Sequence, residues 1–223
     1  MMRNAIPMSA LAVLLTTFAA TAQAMKPKDE HVRGDIVAVS GDSLRVRTRG
    51  GQDAMLSLAP TVRLSTAKKA SLEDIGQGLF VGVTAVPQSD GTLRAVEVHV
   101  FPESMRGTGE GHRPWDLQPE STMTNATVAK SEPQGTGGSP PTTTSATVTD
   151  VSKSAGGRKL QLKYPDGEKT VYVPANTPVV RLEPSDRSKL KAGAPIFATV
   201  TRQPDGTLIA QRMIVGDGVV PPM

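Results

Sequence analysis

The sequence predicts an all-β protein of two small five-stranded barrels, OB-like or SH3-like, joined by a flexible linker rich in Gly, Pro, Ser and Thr. Two observations carry this expectation. The turn Gln88-Ser89-Asp90-Gly91-Thr92-Leu93 returns as Gln203-Pro204-Asp205-Gly206-Thr207-Leu208, each time after an alternating run and before an apolar one. Repetition of that kind marks one structural unit built twice. The run before each turn also has a period of two, with Val81, Val83 and Ala85 matching Ile196, Ala198 and Val200. This is the pattern of a strand with one buried face. An Asp-Gly pair between two such runs signals a hairpin, because Gly91 and Gly206 accept the positive φ of a tight turn.

The elements follow in order. Residues 1–24 read as a secretory signal. Arg3 gives the positive start, an apolar stretch begins at Ala10 and ends at Ala20, and Ala22-Gln23-Ala24 offers a small-x-small cleavage site. The stretch is shorter than the roughly 20 apolar residues a bilayer span requires, and no later segment approaches that length. The expected address is periplasmic or secreted, with no transmembrane segment in the mature chain. The sequence contains no cysteine, which excludes a disulfide framework and thiolate metal sites.

Residues 25–33 are expected to be a mobile lead-in. The first barrel is placed at 34–102, with strands over Asp35–Val39, Leu44–Thr48 and Ala54–Leu58 and a helical turn over Lys68–Leu72, before the final hairpin. The second is placed at 146–217, with strands over Thr147–Val151, Leu160–Tyr164 and Thr170–Val173 and a helical turn near Ser185–Leu190, capped by Ser185 or Asp186. Val62-Arg63-Leu64 matches Val180-Arg181-Leu182, and Leu72 matches Leu190. That implies a short insertion near Ile75-Gly76-Gln77 in the first copy. Three strands, a short helix and two strands suit an OB-type barrel, and closure removes exposed strand edges.

Residues 103–145 are assigned to the linker, and Gln134–Thr144 is nearly devoid of apolar side chains. Such composition cannot offset its own ordering entropy. Ala126-Thr127-Val128 echoes Ala146-Thr147-Val148, so either can begin the second barrel. Residues 218–223 form the tail.

Candidate sites concentrate in the linker. Arg106-Gly107-Thr108-Gly109-Glu110-Gly111-His112-Arg113-Pro114-Trp115-Asp116 combines alternating glycines, two arginines, a histidine and the single tryptophan. Gly107, Gly109 and Gly111 free backbone amides that, with His112 and Trp115 nearby, suit an anion held by Arg106 and Arg113. The competing reading is a glycine-rich connector whose Trp115 packs against a barrel. Met105, His112 and Met123 form an alternative, soft-ligand metal set, although no Met-x-Met or His-x-His pattern accompanies them. His99 is expected on the wet face of its strand. Asp90, Gly91, Asp205 and Gly206 are read as turn residues.

No nucleophile elbow, Ser-x-x-Lys or His-Glu-x-x-His motif occurs, so neither an enzyme nor a cofactor is expected. A net charge of +4 and 3% aromatic residues lack the concentrated basic face and stacking platform of nucleic-acid binders. Binding or scaffolding remains, with an unknown cell-envelope protein or an anionic ligand such as a polysaccharide as partner. Metal handling is the rival reading.

On the Asp-Gly-Thr-Leu hairpins at 90–93 and 205–208, Met105–Asp116, Ser121–Val128 and Val219–Met223, the chain resembles a family of exported proteobacterial proteins. Those proteins are built from a repeated small β domain of unknown function. The resemblance implies no established activity. Some members are labelled metal-transporter permeases, which conflicts with the lack of membrane spans here. It also implies that the segment from Thr122 feeds into the second barrel, with Ala129–Thr147 inserted.

Overall fold

Each closed circuit of strands in this protein draws on both sequence repeats. A computed structural model describes residues 29–133 and 157–221. The signal-like start and the low-complexity 134–145 stretch lie outside these residues, as does the strand expected over 147–151. The described chain is all-β, with strands β1 (Asp29–Ser40), β2 (Ser43–Thr48), β3 (Asp53–Ala70), β4 (Phe80–Pro87), β5 (Leu93–Val100) and β6 (Gly111–Pro114). There follow β7 (Thr122–Pro133), β8 (Arg158–Tyr164), β9 (Gly167–Val173), β10 (Val179–Ser185), β11 (Pro195–Arg202) and β12 (Leu208–Asp217).

Strands β1, β2 and β3 close into a five-stranded barrel with β11 and β12. β1 pairs β11 and β2, β2 pairs β3, and β12 pairs both β11 and β3. The counterpart strands β4 and β5 pair instead with β7, β8 and β9. That second circuit returns on itself through Leu93↔Val171 and Arg94↔Tyr172. Each circuit therefore takes three strands from one repeat and the final hairpin from the other. The antiparallel pairing of β3 with β10, Ala70↔Val179 to Leu64↔Ser185, joins them. This corrects the sequential partition into barrels at 34–102 and 146–217.

The equivalences are regular. Leu56↔Leu208 corresponds to Val171↔Leu93, and Leu64↔Met213 to Val179↔Val98. Both matches keep the sequence separation of the Asp90/Asp205 turns, so Leu64 corresponds to Val179 rather than Leu182. The turns after β3 and β10 also keep it. Ser71 and Ile75 flank a 3-10 turn over Leu72–Asp74, and Asp186 and Leu190 flank its counterpart, Arg187–Lys189. No insertion is needed at 75–77, and Lys68 and Lys69 belong to β3. Asp186 caps its turn by accepting from the Ser188 amide at 2.8 Å.

Three further expectations change. The lead-in is strand from Asp29 onward. Residues 103–133, assigned to the linker, carry a 3-10 turn over Glu103–Met105 followed by β6 and β7. β7 is the second repeat's first strand, because Ala126 and Val128 point into the same core as Leu160 and Val171. In the tail, Pro221 is buried and its carbonyl accepts from Arg49 Nη2 at 3.0 Å.

Alternating side chains fill both interiors. One core holds Ile36, Leu44, Val46, Leu56, Ile196 and Met213; the other holds Val81, Val83, Val98, Val128, Leu160 and Leu162. A third cluster, with Ala67, Phe80, Phe101, Val180, Leu182 and Phe197, fills the space between them. Outside the cores, Asp74 ties the two repeats by accepting from Arg181 Nη2 at 2.8 Å. Its carboxyl is held below the usual range, first by the Ser71 amide and then by Arg181 and the Ser71 hydroxyl. A carboxylate of depressed pKa stabilises the fold above its unfolded value, about 4, and that contribution is lost as pH falls through the lower folded value. Asp74→Asn is expected to flatten the acid dependence of the urea midpoint below about pH 4.

Candidate functional site

The two circuits leave a cleft of about 1770 Å³ between them. That exceeds the roughly 300–1,000 Å³ of a small-molecule pocket and suits an elongated occupant. Its walls come from β1, β3, β11 and β12 on one side and from Phe101–Asp116, Met123 and Asn125 on the other.

A row of polar side chains crosses the first wall. His31 lies opposite Thr199, Thr199 opposite Arg212, and Arg212 opposite Arg63, so one face carries all four over neighbouring strands. From the other wall the half-buried Arg113 donates to the Gly109 carbonyl at 2.7 Å and lies over the Trp115 ring at 5.4 Å. Its guanidinium is pushed below the ordinary value, first by burial and then by the positive charge of Arg212. No carboxylate among the described residues stands within ion-pair distance of Arg63, Arg113 or Arg212. An arginine stays charged regardless, so Arg113 and Arg212 both present positive charge to the cleft they line, where it can attract an anion.

Beside them, Trp115 stacks at 4.4 Å on His31, which is 5.1 Å from Phe197. The buried Trp115 Nε1 donor has no acceptor among the described residues. Asp116 joins this cluster to β1, accepting from Arg33 at 2.6 Å and standing 2.9 Å from His31 Nδ1. Burial works to raise the Asp116 carboxyl, but the bonds from Arg33 and His31 outweigh it and hold the group low.

The sequence-predicted residues divide. Arg106 lines the cleft, but its guanidinium is engaged: it bonds Glu103 Oε2 at 2.7 Å, the Gly78 carbonyl at 2.9 Å and Thr127 Oγ1 at 3.0 Å. Gly107, Gly109 and Gly111 all have positive φ and shape successive turns; the first two line the cleft. Arg113 and Trp115 face the cleft. His112 does not, because it stands opposite Thr124 on β7 and approaches that hydroxyl at 2.8 Å. It lines a separate hollow with Tyr164, Asp166 and Lys169. Burial first, then Lys169 and Arg113, hold its imidazolium below the ordinary range.

The alternative metal set does not converge. Met123 precedes Thr124 and so projects from the opposite face of β7 from the one His112 approaches. Its sulfur instead lies 3.8 Å from the Thr84 hydroxyl. Among the described residues no group of three His, Cys, Asp or Glu could hold a metal ion, and no helix is long and apolar enough to cross a membrane.

His99 is fully buried, not wet, and stands 3.8 Å from the buried Glu97. The outer face of β5 is covered because Phe101 and Asn125 close over it. Gly82 makes room for that layer: a Cβ there would meet Asn125 Oδ1 at 2.7 Å and Phe101 Cε2 at 3.0 Å. Gly82→Val is expected to destabilise by about 1–3 kcal/mol through overpacking, as read from urea unfolding. The two Asp-Gly turns are built alike, Asp90 accepting from the Thr92 amide and Asp205 from the Thr207 amide, each at 2.9 Å.

Arg63 and Arg212 carry no motif; the strand register sets them side by side, and the cleft they line also holds Arg113. Compared with known protein families, curated proteins and solved structures, the chain matches none.

Proposed function

We propose that this chain is an exported, non-catalytic binding protein of the bacterial cell envelope. In this reading two exchanged copies of one small OB- or SH3-like barrel frame a cleft for an elongated anionic ligand. The carrying observation is that Arg63, Arg113 and Arg212 line one cleft, with no carboxylate among the described residues within ion-pair distance of them. Charge-assisted bonds to a carboxylate or phosphate would balance their charge. Trp115 lines the same cleft, and an aromatic ring beside cationic side chains suits an acidic sugar chain. The signal-like start through Ala24 supports the envelope address. Two of the carboxylates at the cleft rim are held in pairs, Asp116 with Arg33 and Glu30 with Arg202, which supports binding over catalysis at those positions.

Trp115 is the single tryptophan and reports directly on the cleft. Titration with tetragalacturonate is expected to change its fluorescence, whereas neutral maltotetraose leaves it unchanged. Replacing both Arg113 and Arg212 by Ala should weaken acidic-sugar binding at least about 100-fold, since each charged hydrogen bond is worth roughly 1.5–3 kcal/mol. Equal response to both sugars, or full affinity in the double variant, would overturn the reading.

A further inference from the structure

The two repeats differ at one strand edge. On one side β7 pairs β4, with Phe80↔Thr127 through Ala85↔Thr122. On its other side β8 begins at Thr127, and β6 fills the rest of the edge, with Gly111↔Asn125 through Pro114↔Thr122. β1 repeats this register: Asp35↔Pro195 through Glu30↔Val200 face β11, and β2 begins at Gly34. No strand among the described residues takes the place of β6 alongside Asp29–Val32.

The direction of the backbone groups follows from three bonds. The Ile36 amide donates to Ala194, and the Ile36 carbonyl accepts from Gly193, both on the β11 side. The Arg33 carbonyl accepts from the Arg49 amide on the other side. Alternation along the strand then turns the N–H and C=O of Asp29 and His31 toward the unfilled edge. Asp29, Glu30 and His31 also line the cleft, so open space adjoins that edge.

The side chains set the chemistry of an occupant. Asp29 is exposed and forms no ion pair among the described residues. Asp116 lies against His31 on the same face of β1, where it is shared with Arg33. Residues of an added strand opposite Asp29 and His31 would project on that face, and opposite charges across a strand pair are favourable.

We propose that the Asp29–Val32 edge of β1 accepts an extended peptide strand from a partner protein, antiparallel, with a basic residue opposite Asp29. β6 shows within the same chain how such a strand seats, and main-chain bonds would supply affinity as in other strand additions. The edge adjoins the arginine cleft but uses main-chain groups of Asp29 and His31, so methylation of the peptide tests it separately from the Arg113 and Arg212 substitutions.

The test uses the mature chain and a blocked six-residue peptide alternating lysine and valine, followed by amide NMR and hydrogen exchange. In the free protein the Asp29 and His31 amides should exchange fast while Val32, bonded to β11, exchanges slowly. Peptide should shift and protect the first two. A glutamate/valine counterpart should bind roughly 2- to 10-fold more weakly, because a favourable charge pair opposite Asp29 becomes a repulsive one. Methylating the alternate peptide amides that face β1 should abolish binding without changing charge. Asp29→Lys should reverse the preference between the two charged peptides. Methylated peptide binding equally well would sink the proposal. So would a His31 amide already protected in the free protein, whether by the chain itself or by a second copy detected in sedimentation.

Discussion

Expressed as separate fragments, residues 25–102 and 103–223 are expected to give no folded monomer alone and a one-to-one complex when mixed. Each fragment carries one complete sequence repeat, but each core needs strands from both. β1, β2 and β3 lack β11 and β12 in the first fragment, and β7, β8 and β9 lack β4 and β5 in the second. β3 also cannot easily fold back on its own hairpin. Its 18 residues extend about 60 Å at roughly 3.3 Å per residue, carrying the chain from one core to the other. Circular dichroism and sedimentation of each fragment, then of the mixture, decide the matter. A stable folded monomer of 25–102 would mean that the exchange is not obligatory.

Phe80→Ala is expected to cost about 3–5 kcal/mol, the range for a buried phenylalanine reduced to alanine, and to lower the single thermal midpoint by about 10 °C. Phe80 is 1% exposed and sits in the cluster between the cores, 5.3 Å from Phe101, with the Arg106 guanidinium 6.0 Å above its ring. Because that cluster also holds Leu182 and Phe197 from the second repeat, its loss should weaken both cores together. Calorimetry showing two separate transitions, only one of them displaced, would show that the cores melt independently.

The readable part of this fold was local. Asp90-Gly91 and Asp205-Gly206 state their hairpins within six residues, and alternation exposes the buried faces of β4 and β11. The exchange was not readable, because the two repeats are alike: β4 and β5 suit either set of partners by pattern, and the choice rests on the path of β3 and β10. β7 reads only as one of two possible starts of the second barrel, because Thr122, Thr124 and Asn125 blur the contrast between its faces. His99 was misplaced for a related reason. Period two separates the faces of β5 but cannot show that Phe101 and Asn125 cover the second one.

At the candidate site, glycine spacing drew attention to Arg113 and Trp115 correctly as a cluster. Composition could not tell the engaged Arg106 from the uncompensated Arg113. Arg212 and Arg63 look like ordinary strand-face charges until β12 and β3 are laid side by side. A sequence signal did exist, since Arg212 occupies the position of Glu97 in the other copy.

The order in which the strands are made gives the exchange a further meaning. β11 and β12 leave the ribosome last, yet they seal the core that β1 begins. A nascent chain therefore cannot complete its first barrel until nearly all of it, through Asp217, has been synthesised. Long-separation contacts of this kind slow folding. For a polypeptide threaded through a membrane pore in extended form, the wiring itself would act as a delay, keeping the leading half unsealed until the trailing end arrives.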